Sequence, residues 1–325
     1  MPSKKKTNIK HIKNKTYTRI PVNASTPSTE GFNPDYLVIG DIHLKTSMIE
    51  PMVLGAIARN PNIREAIFLG DLNDDWAATQ DKRVNEMKGM LALTRKLRKR
   101  GVMPTVLIGN HDVTYLNGVD STSLLFRNTS PGHDYNAEPE ITETMSRMGN
   151  LKAATVITVL NKPVLLTHAG VTQGWLDWTM PGDSERTAGM VCKHINKLMR
   201  NGNWDMLYSI GSGRGGWGVP SPLWADESEL LYDPAIGFNQ IVGHTPVPEL
   251  CTVNETGYYD DDHNESACQF DVSLTFCDTM STYQDHSCIG DNSLLLIDSR
   301  SGVYMGMIPD GEMKPVITRK LEQQL

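Results

Sequence analysis

Between residues 36 and 245 the chain repeats one device five times. A short apolar run stops at a small residue, and a side chain able to bind metal follows. Tyr36-Leu37-Val38-Ile39 stops at Gly40-Asp41, Ala66-Ile67-Phe68-Leu69 at Gly70-Asp71, and Thr105-Val106-Leu107-Ile108 at Gly109-Asn110. Val164-Leu165-Leu166 leads to Thr167-His168, and Ile241-Val242 stops at Gly243-His244. Short runs without polar alternation suit strands buried on both faces. Helical patterns separate the first three. One covers Ser47 to Arg59. In the other, Val84, Met87, Met90, Leu91 and Leu97 share one side, and a Lys/Arg cluster and Gly101 close the end. Cations there complement the helix dipole, and glycine supplies the left-handed position after the last turn. Alternating strand and helix predicts a right-handed, largely parallel arrangement. Ligands then bind beyond the carboxyl ends of the strands, the edge where all five polar residues fall.

The rest of the chain reads differently. Thr155–Leu160 and Pro163–Thr167 predict a hairpin through Asn161-Lys162, and Asp271–Cys277, Asn292–Ile297 and Val303–Ile308 predict strands. Asp298-Ser299-Arg300-Ser301-Gly302 is a turn between the last two. The expected fold class is α/β, a two-sheet sandwich flanked by helices. With 325 residues, 39% of them apolar, the chain can bury a sizeable core. It contains no apolar stretch of about 18 residues, so no membrane-spanning helix is expected. The opening residues lack the apolar segment of a secretory leader, and five cysteines are too sparse for a disulfide scaffold. Both features predict a cytoplasmic protein.

Charge is unevenly spread. The whole chain carries −7, which argues against a protein that coats nucleic acid. Residues 1–30 alone carry +6, from six lysines and Arg19 against Glu30. With the Ser/Thr/Pro/Gly-rich stretch NASTPSTEGFNP, they read as a flexible basic arm ahead of one domain over 31–325. A solubilising tail is the simpler function for the arm, and contact with nucleic acid is the alternative.

The polar groups at the strand ends form a mixed set: Gly40-Asp41-Ile42-His43, Gly70-Asp71-Leu72-Asn73-Asp74, Gly109-Asn110-His111-Asp112, His168 and Gly243-His244-Thr245. Carboxylate, imidazole and amide oxygen without thiolate suit borderline divalent metals such as Mn, Fe, Zn, Co or Ni. An aspartate can bridge two ions, and two ions close together can polarise a phosphoryl group. Glycine before a ligand lets the chain turn sharply. Each motif alone is weak, and the ordered set carries the weight.

That ordered set resembles the calcineurin-like metallophosphoesterase family, whose signature runs GDxH, GDxxD, GNH[DE], a later His, then GH. The resemblance spans about residues 35 to 310. It implies a metallophosphoesterase-type sandwich holding two divalent ions, with Mn²⁺ favoured for activity. It further implies that Asp41, His43 and Asp71 hold one ion, that Asp71 bridges, and that Asn110, His168 and His244 complete the second site. His111 matches the general acid that protonates the leaving group after attack by a di-metal-bound hydroxide, and Asp74 matches the carboxylate that orients it. Asp112 reads as a turn cap or as support for a ligand.

The substrate side departs from the family. Gly243-His244-Thr245 and Thr167-His168-Ala169-Gly170 resemble the serine/threonine protein phosphatase and bis-nucleosyl tetraphosphatase branch, as does Cys277-Asp278-Thr279. Pro246 stands where many phosphodiesterases place a second histidine. That branch has a phosphate-binding arginine directly after the position of Asp74, whereas this chain has Asp75. Arg214, in a Gly-rich loop, and more weakly Arg127 are the candidates to replace it. Residues 248–290 form a long acidic insertion with Asp260-Asp261-Asp262-His263, His286 and four cysteines; reduced cysteines on a decorated loop are the simpler reading against a third metal. The favoured function is a phosphatase acting on a phosphorylated small molecule, nucleotide or protein. A nucleotide or nucleic-acid phosphodiesterase and a non-catalytic scaffold are the alternatives.

Overall fold

Tyr36–Ile39 is buried at every position, as a strand covered on both faces must be. Leu37 and Ile39 pack among helices, while Tyr36 and Val38 pack against a second sheet. The computed structural model describes residues 19–21, 30–126, 132–149, 151–182, 185–254, 256–258 and 268–321. Strands in chain order are β1 (Arg19–Pro21), β2 (Tyr36–Ile39), β3 (Glu65–Phe68), β4 (Met103–Val106), β5 (Ala154–Val159), β6 (Lys162–Thr167), β7 (Asn239–Pro246), β8 (Cys251–Asn254), β9 (Thr256–Tyr258), β10 (Cys268–Phe270), β11 (Leu274–Asp278), β12 (Leu294–Asp298), β13 (Val303–Met307), β14 (Met313–Pro315) and β15 (Ile317–Leu321). Helices are α1 (Thr46–Arg59), α2 (Gln80–Lys99), α3 (Glu138–Met148), α4 (Gln173–Thr179), α5 (Ala188–Arg200), α6 (Trp204–Leu207) and α7 (Glu227–Tyr232).

Two mixed sheets make an α/β protein. One has six strands in the order β14-β13-β12-β2-β3-β4, and the other seven in the order β1-β15-β8-β11-β7-β6-β5. In the first, β2, β3 and β4 are parallel and β12 is antiparallel to β2. In the second, β6, β7 and β11 are parallel. Val38, Ile67 and Leu107 meet Leu166, Ile241 and Cys277 between the sheets. Helices α1, α2 and α3 cover the outer face of the first sheet, and α4, α5 and α7 cover the second. The helix signals are physical ones. Thr79 caps α2 by accepting from the Lys82 backbone N–H, and Gly101 takes φ +77° after the basic last turn.

Several boundaries move. The hairpin turns at Leu160-Asn161, one residue before the expected pair. Both residues have positive φ, 49° and 62°, as a two-residue turn matching the strand twist requires. β7 does not stop at Gly243 but runs through His244 to Pro246. Within residues 1–30, Arg19–Pro21 pairs antiparallel with β15. The remainder of 1–29 lies outside the described residues. Among the described residues, no helix is long and apolar enough to cross a membrane.

Candidate metal centre

The carboxyl ends of β2, β3 and β4 carry Asp41 and His43, Asp71 and Asp74, and Asn110 and His111. From the other sheet, β6 and β11 bring His168 and Asp278, and β7 brings His244. The glycines matter because ligands from neighbouring strands crowd them. A Cβ at Gly109 would stand 2.1 Å from Asp71 Oδ1, and one at Gly243 would stand 2.1 Å from Asp41 Oδ1. Backbone strain concentrates here. His43, Asp71, Asp74 and His244 adopt φ of 43°, 45°, 63° and 63°, a region costly for side-chain-bearing residues and typical of functional sites. In β7 the register against β11 shifts between Val242–Phe276 and Pro246–Asp278. His244 lies within this irregular stretch.

Two groups of ligand atoms converge, and Asp71 belongs to both: Asp71, His168 and His244, and Asp41, His43 and Asp71. His168 Nδ1 donates to the Leu69 carbonyl at 3.0 Å. A carbonyl only accepts, so this assigns the proton to Nδ1 and leaves the Nε2 lone pair free. Nε2 faces Asn110 Oδ1 at 2.9 Å, His244 Nδ1 at 3.1 Å and Asp71 Oδ2 at 3.3 Å. His43 is built alike: Nδ1 donates to the Asp74 carbonyl at 2.8 Å, and Nε2 lies 3.8 Å from Asp71 Oδ2. Several lone pairs thus point at one another, an arrangement a cation resolves. These buried His and Asp groups are positioned to hold a metal ion.

The electrostatics agree. Burial pushes the Asp41 carboxyl well above the usual range, and Asp278 and Asp71 push it further. Burial opposes the charged form of Asp71, but His168, His111 and His43 outweigh it and hold that carboxyl well below the usual range. Burial, His168 and Arg214 drive His244 well below ordinary imidazole, toward the neutral form that ligates metal. A divalent ion relieves the carboxylate repulsion and takes a neutral imidazole such as that of His244.

His111 lies beside this cluster. Its backbone N–H donates to Asp71 Oδ1 at 2.9 Å, and its ring Nδ1 lies 3.3 Å from Asp74 Oδ2. Burial works against a protonated ring, but Asp71 and Asp74 win and raise His111 to about 9. Asp74 is itself held by two side chains the sequence did not reveal. Arg83 Nη1 and the Tyr115 hydroxyl both donate to its Oδ1 at 2.8 Å. One signal existed for Arg83: a cation in the first turn of α2 opposes the helix dipole and so calls for a buried partner. Tyr115 offered none. Replacing Tyr115 with phenylalanine removes one of the two Oδ1 bonds and leaves the Asp134 N–H, which also donates to that hydroxyl, unpaired. The expected loss is about 1–3 kcal/mol of stability, measured by urea denaturation of the two chains.

The other residues singled out by sequence fall as follows. Asp112 is fully buried. Its Oδ2 accepts from Gly109 N at 2.9 Å, and its Oδ1 from Leu72 N and Asn73 N at 3.0 and 3.1 Å. It therefore caps its own turn and also ties the Asn110 loop to the Asp71 loop. Arg214 is held against the His244 backbone: Nη2 donates to the His244 carbonyl at 3.2 Å and to Thr245 Oγ1 at 3.0 Å. Its Nε lies 3.0 Å from Asp226 Oδ2. Arg127 lies outside the described residues, as do Asp260 to His263. Among the described residues, no cysteine of 248–290 joins a metal-ligating group.

The fold and site define a mixed α/β protein with a buried candidate metal centre. No family model matches the chain, and no curated protein does. Among solved structures, hypothetical protein PH1004 from Pyrococcus horikoshii aligns with a TM-score of 0.38 and 10% identity over 89% of this chain and 88% of that one. TT1561 of Thermus thermophilus aligns with a TM-score of 0.32 and 10% identity over 86% of this chain and 100% of that one.

Proposed function

We propose that this protein is a metal-dependent phosphoester hydrolase of the calcineurin-like metallophosphoesterase type, acting as a phosphatase. The observation that carries the reading is the placement of His111, backed by Asp74, beside two ligand groups that share Asp71. Asp41, His43 and Asp71 would hold one divalent ion, and Asp71, Asn110, His168 and His244 the other. When bound, such ions supply Lewis-acid polarisation of a phosphoryl group and acidify water at neutral pH.

The chain's own residues do the remaining work. Asp74 accepts from His111 Nδ1 and fixes the ring, and Arg83 and Tyr115 fix Asp74. The raised proton affinity of His111 keeps the ring charged near neutral pH, so it can hand a proton to the departing alkoxide. Arg214, held against the His244 backbone, supports phosphate binding at the opposite side. Pro246, in place of a second histidine, supports a phosphatase over a diesterase. A phosphorylated small molecule, nucleotide or protein fits as substrate class.

The test is turnover of p-nitrophenyl phosphate beside bis-p-nitrophenyl phosphate, with Mn²⁺ and with EDTA, for the native chain and His111→Asn. Metal-dependent turnover is expected, with the monoester preferred. The variant should keep its metal content and lose about a hundredfold or more in kcat. Equal turnover in both chains removes His111 as the acid, and a preference for the diester moves the protein to the phosphodiesterases. Bound metal without turnover of any phosphoester leaves a scaffold.

A further inference from the structure

Lys45 stands two residues after His43, next to the first residue of α1, and the hydrolase described above gives it no task. The residue as a whole is half-buried, yet its ammonium nitrogen is closed off from solvent. That nitrogen has no hydrogen-bond partner among the described residues. The charged groups acting on it are Asp75, Asp278 and Lys82, with Cys288 and His43 beyond them.

The neighbouring carboxylates are committed elsewhere. Asp75 accepts from Lys82 Nζ at 2.7 Å and from Trp76 N at 2.9 Å. Asp278 accepts from Ser281 N at 3.1 Å and from Ser281 Oγ at 2.8 Å. Lys82 pairs with Asp75 and offsets part of its charge. The Lys45 ammonium, in the field of Asp75 and Asp278, is left with no hydrogen-bond acceptor among the described residues. Burying N–H donors without an acceptor is costly. An acceptor oxygen brought in by a ligand satisfies them.

We propose that Lys45 Nζ binds a non-bridging anionic oxygen of the substrate phosphoryl group on the His43 side of the centre. The proposal rests on the phosphoester-hydrolase reading. Arg214 is held instead against the backbone of His244, a member of the other ligand group.

The experiment compares the full chain, loaded with Mn²⁺, with Lys45→Met and Lys45→Arg. Methionine keeps the length of the side chain without its charge. Inorganic phosphate is titrated by calorimetry and as an inhibitor of p-nitrophenyl phosphate turnover. Lys45→Met should bind Mn²⁺ in the native amount and weaken phosphate by about tenfold or more, the scale of one charge-assisted hydrogen bond. Lys45→Arg should recover most of that loss. Without metal, Lys45→Met should melt no lower than the native chain, because it removes buried donors that lack an acceptor.

A merely structural lysine behaves in the opposite way. A variant that melts lower or fails to fold, or that binds phosphate within twofold of native, overturns the assignment. If that happens while the native chain hydrolyses the ester, only Lys45 is misassigned. A native chain that binds Mn²⁺ but neither phosphate nor either ester overturns the hydrolase reading, and Lys45 falls with it.

Discussion

On the hydrolase reading proposed above, replacing Asp71 with asparagine is expected to remove at least one metal ion per chain and to lower phosphoester turnover by about a thousandfold or more. Asp71 is shared by both ligand groups. Its Oδ2 lies 3.3 Å from His168 Nε2 and 3.8 Å from His43 Nε2, while Oδ1 accepts the His111 backbone N–H at 2.9 Å. Asparagine keeps the shape and can keep the bond to His111. It loses the charge and replaces one ligating oxygen with an N–H₂ group that cannot coordinate. Lewis-acid stabilisation is worth several kcal/mol, and each 1.36 kcal/mol is tenfold in rate, so about three decades follow. Metal content by plasma emission spectroscopy and kcat/KM on the same preparation test this. Native metal content with turnover within tenfold of the parent would remove Asp71 from the shared position.

The second large effect concerns packing. Alanine at Gly40 places a Cβ 2.0 Å from the Cys277 carbonyl oxygen, 2.8 Å from its carbon and 3.2 Å from Asp278 Cα. All three are backbone atoms, which no rotamer change can move. The end of β2 must then part from the end of β11, and the gap opens between Asp41 and Asp278. A destabilisation of at least about 3 kcal/mol is expected, the upper range for overpacking. Gly189→Ala in α5 is the control. Its Cβ meets nothing within 4 Å, so it should gain up to about 1 kcal/mol from helix propensity. Urea midpoints of the two variants decide the matter, and similar midpoints would show that the sheets yield where the geometry says they cannot.

The two variants mark the limits of reading the chain linearly. Strands β2, β3 and β6 were legible because an apolar run that is buried on both faces needs no partner to be recognised. Helix α2 was legible through its apolar stripe, its basic last turn and Gly101. The hairpin turn slipped by one because exposed Leu160 accepts a left-handed backbone that nothing in its chemistry announces. β7 ran past Gly243 because a bulge keeps His244 within the strand, and bulges follow from pairing with β11. β1 escaped notice since three residues pair only where β15 presents an edge.

The same division holds at the site. The residue types that can ligate metal, and their delivery to one edge of the strands, follow from local sequence: each ligand sits within a few residues of a strand end, and the strand carries it there. The tertiary structure alone decided who supports them. Arg83 and Tyr115 reach Asp74 across 9 and 41 residues, and Ser281 N and Oγ hold Asp278 beside Asp41. It also decided that Lys82 pairs with Asp75 and that the Lys45 ammonium is enclosed without a hydrogen-bond partner among the described residues. Ligand identity is a property of one side chain and shows in the sequence. Charge balance and clearance belong to pairs of residues brought together only by folding.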